Sequence, residues 1–114
     1  MLNENTKIKY QHGDVLIKSV DSIPTDLTKI KGTALQYGEI TGHAHRLENE
    51  DHELFANPND IDRNGNGRKF LRLLKPTNLS HEEHDTITLP PGDYEVTIVR
   101  EYDHFDQIIR DVAD

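Results

Sequence analysis

Side-chain character alternates along residues 93–102 in a way that commits this chain to β structure. Tyr94, Val96, Ile98 and Tyr102 share one parity, while Glu95, Thr97 and Glu101 fall on the other. Successive side chains of a strand point to opposite faces, so this pattern builds one apolar and one wet face. Val99 and Arg100 are the exceptions. Ahead of this strand, Thr86 to Leu89 reads as a partner and Pro90-Pro91-Gly92 as the turn between them.

The rest of the chain repeats the theme of short strands cut by turn residues. Lys7 to Tyr10 reads as a short strand, His12-Gly13-Asp14 as a turn and Val15 to Val20 as a strand rich in β-branched residues. Asp21 to Gly32, with Pro24 in it, reads as a loop. Thr33 to Thr41 and His43 to Leu47 read as one strand interrupted at Gly42, or two joined by a kink. A short strand is expected near Glu53 to Ala56, then a polar loop from Asn57 to Gly67, then a strand from Phe70 to Leu74 that Pro76 ends. In the tail from Asp103, Ile108, Ile109 and Val112 fall at helical spacing behind Asp106 as a possible N-cap, which predicts one terminal helix. Seven or eight antiparallel strands and one short C-terminal helix imply an all-β fold, an antiparallel barrel or sandwich, with residues 1–114 as a single domain.

Charge narrows the function classes. The chain carries 13 Lys and Arg against 21 Asp and Glu, a formal net charge of -8, which repels nucleic-acid phosphates and anionic membrane surfaces. The basic cluster Arg68, Lys69, Arg72 and Lys75 reads as a solvated strand or loop. No window approaches the roughly 18 apolar residues of a membrane span and no signal-like start is seen, so a soluble cytoplasmic protein is the expectation. With no cysteine, any metal has to be held by nitrogen and oxygen ligands.

The chemistry points to histidine. His43-Ala44-His45 and His81-Glu82-Glu83-His84 together hold four of the seven histidines. On a strand, His-x-His presents both rings to the same face, with Cα atoms about 6–7 Å apart, a spacing that lets two imidazoles grip one transition-metal ion. His81 and His84, three residues apart, suit a helical turn or loop. Asp62 to Gly67 matches the first half of a calcium loop, but Leu73 stands where a bidentate Glu is required, and an Asn-Gly turn is the better reading. His12, His52 and His104 read as solvent-exposed.

Taken with its strands, the His-x-His segment resembles the cupins, β-barrels in which such a pair and a later strand supply metal ligands to the interior. His43, His45 and Glu50 fit the first cupin motif, and Pro90-Pro91-Gly92 fits the start of the second, where Glu95 occupies the histidine position. The resemblance spans roughly residues 34 to 100. It implies a divalent metal ion (Zn, Fe, Mn or Ni) on His43 and His45, with Glu50, His81, His84 or Glu95 completing the shell. It also implies a small polar substrate, on which the ion acts as Lewis acid or water activator, with Glu39 or a histidine of the second pair carrying the proton. A homodimer through edge strands is the expected assembly. The alternative is a non-enzymatic binding or assembly protein whose acidic surface meets a protein partner. The GEITGHAH and HEEHDTITLPPGDYEV segments also resemble those of small bacterial or phage proteins.

Overall fold

A computed structural model describes residues 8–38 and 42–98. Ten strands run through them in antiparallel pairs: β1 (Lys9–His12), β2 (Val15–Ser19), β3 (Thr28–Ile30), β4 (Ala34–Tyr37), β5 (Ala44–Leu47), β6 (His52–Ala56), β7 (Lys69–Leu73), β8 (Thr77–Ser80), β9 (Ile87–Leu89) and β10 (Gly92–Ile98). One turn of 3-10 helix, Pro58–Asp60, is capped by the Asn57 side chain, which accepts a hydrogen bond from the Asn59 N–H. The predicted C-terminal helix lies outside the described residues. Among those residues no helix is long and apolar enough to cross a bilayer.

The strands form two sheets, a six-stranded one in the order β1-β2-β10-β7-β6-β3 and a four-stranded one in the order β4-β5-β8-β9. Both feed a single core: Val15, Ile17, Leu54, Leu71, Leu73, Tyr94 and Val96 from the larger sheet pack with Leu35, Leu47, Leu79 and Leu89 from the smaller. That is a sandwich arrangement, and strand pairing among the described residues does not close into a barrel. The alternation predicted for β10 is realised, with Tyr94 and Val96 buried and each followed by a partly exposed polar residue, Glu95 and Thr97. The Tyr94 hydroxyl donates to the Pro90 carbonyl at 2.6 Å, and burial pushes its pKa up to about 12.

Two expectations from the sequence are corrected here. β3 interrupts the predicted 21–32 loop: its Thr28, Lys29 and Ile30 pair with Ala56, Phe55 and Leu54 of β6. Lys69 is not part of a solvated basic face; it is 2% exposed. It shares parity with Leu71 and Leu73 on β7, so its stem runs inward. Its ammonium donates to the carbonyl oxygens of Leu35 and of Gly65 (2.7 Å) and lies 3.4 Å from Gln36 Oε1. Gln36 in turn makes a two-way pair with the Gly67 backbone, at 2.6 and 3.1 Å. These bonds tie the 62–67 loop to β4. The loop itself is a turn: Asp62 Oδ1 accepts from the Asn64 and Asn66 N–H groups, and Ile61 and Gly67 form a bridge.

Candidate functional site

The site lies where the β1–β2 hairpin of the large sheet meets β5 and the 81–85 segment of the small one. β1 ends in His12, whose backbone register partner is Val15, and Gly13-Asp14 makes the turn. Gly13 has φ +62°, the left-handed conformation that glycine accepts without a steric penalty. On the opposite side, His45 pairs in register with Gln36 of β4 at a bulge, and His43 just precedes β5.

The 81–85 segment is stapled to β5 by a carboxylate. Glu82 Oε1 accepts the Ala44 N–H at 3.0 Å and Oε2 accepts Arg46 Nη1 at 3.1 Å. The bond from Ala44 holds the Glu82 carboxyl below its usual range, with help from its own backbone N–H, His43 and Arg46. The staple brings His81 and His84 over His45.

Five imidazoles gather there. His81 lies 4.4 Å from His45, 4.7 Å from His84 and 5.8 Å from His43, measured between ring centroids. His84 stacks on His45 at 5.8 Å with a 17° interplanar angle. His12 meets His45 edge-on at 4.9 Å and His84 at 5.8 Å. Carboxylates rim the cluster: Asp14 Oδ1 is 3.4 Å from His45 Nε2, and Glu83 Oε2 is 3.9 Å from His43 Nδ1. One ligand atom each from His43, His81 and Glu82 lies within 4.8 Å of the others. Since Glu82 is already engaged by Ala44 and Arg46, the imidazoles are the more available donors of that group.

Burial sets the electrostatics. His12 is 2% exposed and His45 3%. His45 Nδ1 sits 2.8 Å from His12 Nδ1, and His12 Nε2 sits 2.7 Å from the Asp85 carbonyl oxygen. Burial is the main cause that lowers the His45 pKa to about 4, with His81 and His12 adding to it and Asp14 opposing. Burial also lowers that of His12. Both rings are therefore neutral at pH 7, the form in which imidazole ligates metals. His81 Nδ1 accepts the Glu83 N–H at 2.9 Å, so ligation through that atom exchanges one backbone partner for the ion.

The structure thus brings together His43, His45, His81 and His84 among the residues singled out in the sequence. It does not bring Glu50 or Glu95 to them. Glu50 is exposed in the turn between β5 and β6, and Glu95 on β10 is paired with Arg68 and Lys18. Glu39 lies outside the described residues, as does His104. His12, expected at the surface, is instead buried at the base of the cluster. Register carries the signal that finds it: Tyr10 and His12 stand opposite Ile17 and Val15, both fully buried, so their shared parity faces the core. His52 sits apart, half-buried on β6, with Nε2 2.9 Å from the Gly32 carbonyl oxygen, to which it donates.

No curated protein and no solved structure matches the chain. A family model described as a domain of unknown function, DUF8820, matches residues 11–99, a span that contains all five clustered histidines. The chain belongs to the DUF8820 family.

Proposed function

We propose that this protein is a metal-binding β domain that holds one divalent transition-metal ion among His43, His45, His81 and His84. The observation that carries this reading is the convergence of imidazoles from two other segments, His12 of β1 and His81 and His84 of the 81–85 segment, on the buried, neutral ring of His45. Packing imidazoles around the buried ring of His45, beside Asp14, Glu82 and Glu83, gathers lone pairs and negative charge in one place. A divalent cation relieves both. An all-nitrogen and oxygen donor set suits zinc, iron, nickel or manganese, with imidazole favouring the first three.

This reading shares with the cupins a His-x-His segment in an all-β fold, with His45 on β5 and His43 just ahead of it. The ligand set departs from theirs, because the second pair replaces the positions of Glu50 and Glu95. If the ion is catalytic, it acts as a Lewis acid or water activator on a small polar substrate.

Cobalt(II) substitution tests the site. Titration of metal-free protein is expected to give visible d–d absorption saturating near one equivalent, and His84→Ala is expected to weaken binding at least about tenfold, as loss of a ligand does. Cobalt that leaves the spectrum of hexaaqua ion unchanged would overturn the assignment.

A further inference from the structure

The contact between His12 and His45 fixes where hydrogens sit. Two ring nitrogens 2.8 Å apart share one hydrogen, since two would clash and none would set lone pair against lone pair. His12 Nε2 faces a backbone carbonyl oxygen, that of Asp85, which only accepts, so Nε2 carries the hydrogen of a neutral ring. His12 Nδ1 is then bare and accepts from His45 Nδ1–H. The consequence falls on the far side of His45, where Nε2 is left as an open lone pair.

That lone pair faces a carboxylate. His45 Nε2 and Asp14 Oδ1 lie 3.4 Å apart, and neither has a hydrogen to give the other. Around a tetrahedral ion with metal–nitrogen and metal–oxygen bonds of about 2.0–2.2 Å, neighbouring donor atoms stand about 3.4 Å apart. The separation is that of two ligands on one ion.

We propose that His12 is a positioning residue that locks His45 in its Nδ1–H tautomer, so that His45 Nε2 and the Asp14 carboxylate form a preset nitrogen–oxygen edge for a divalent cation. This rests on the metal reading above, puts Asp14 beside His45 in the four-ligand shell in place of one of the other histidines, and adds one residue that never touches the ion. The carbonyl of Asp85 anchors the chain of hydrogen bonds, and being backbone it does not titrate. Such outer partners of a ligating histidine fix its ring and raise its basicity.

The test is long-range ¹H–¹⁵N correlation of the histidine rings in metal-free protein, paired with zinc titration by calorimetry. His45 is expected to show a protonated Nδ1 and a bare Nε2, and His12 the reverse. His12→Phe, which keeps a ring but removes the acceptor, is expected to shift His45 toward the Nε2–H form and to weaken zinc about 10–100-fold. His12→Asn, whose Oδ1 restores an acceptor near the Nδ1 position, is expected to recover most of that loss. Asp14→Asn changes an exposed side chain, so folding is not at stake, and is expected to weaken zinc about tenfold with the His45 tautomer unchanged. Zinc binding by a wild type whose His45 carries its hydrogen on Nε2 would overturn the role of His12 and leave the metal reading standing. Zinc affinity unmoved by Asp14→Asn would overturn the edge. No zinc binding by the wild type would overturn the metal reading itself, whatever the tautomer.

Discussion

The ring of His84 occupies the space that a side chain on residue 13 would fill. A Cβ built on Gly13 would lie 2.6 Å from His84 Nε2 and 2.8 Å from Cδ2. Glycine at the hairpin turn therefore serves both the positive φ and the seating of a candidate ligand.

Gly13→Ala separates those two roles. The left-handed conformation costs an alanine about 1–2 kcal/mol of stability. Displacement of the His84 ring is expected to weaken zinc binding about tenfold or more, beyond what that loss of stability explains at temperatures where the variant stays folded. Melting curves and calorimetric titration on the same sample check both. Unchanged zinc affinity would show that His84 is not a ligand.

Acid should destabilise the metal-free protein through His45. Its pKa is about 4 when folded against 6.5 when exposed, so between those values the unfolded chain binds more protons than the folded one. Stability is then fully present above about pH 6.5 and is lost as pH falls toward 4, by roughly 2–3 kcal/mol from this group. Chemical denaturation at pH 7.5 and pH 5 measures it. A His45→Phe variant is expected to show a shallower pH dependence, and equal slopes in the two proteins would contradict the assignment.

Lys69→Met tests the buried ammonium that ties β4 to the 62–67 loop. Burial lowers the Lys69 pKa to about 8, so the group is still mostly charged at pH 7. Its removal leaves the Leu35 and Gly65 carbonyls and Gln36 Oε1 without that donor. Relief of the buried charge offsets part of the loss, and a net destabilisation of about 1–3 kcal/mol is expected. Hydrogen exchange should localise it to residues 62–67. Protection there equal to wild type would refute the tie.

Strands whose apolar residues alternate, such as β2 and β10, are legible from sequence because one face of each is paid for by the core. β3 and β8 are not. β3 is Thr-Lys-Ile with its first two residues exposed, and β8 carries Thr77 and Asn78 directly after Pro76; β3 forms by pairing with β6, and β8 by pairing with β5 and β9, rather than by local preference. The two histidine pairs stood out by spacing. His12 did not, since its place in the site depends on a partner 33 residues away, and only the parity of β1 against Val15 and Ile17 hints at it. Lys69 is hidden for a like reason: a charge beside Arg68 looks solvated until its parity with Leu71 and Leu73 is counted.

Elemental mass spectrometry on untagged protein, purified without chelator, addresses the metal centre most directly. Wild type is expected to carry roughly one equivalent of a divalent transition metal, and His45→Ala/His84→Ala, checked for folding by circular dichroism, to carry almost none. Folded wild type that takes up no metal after incubation with manganese, iron, nickel and zinc would contradict the metal-binding assignment.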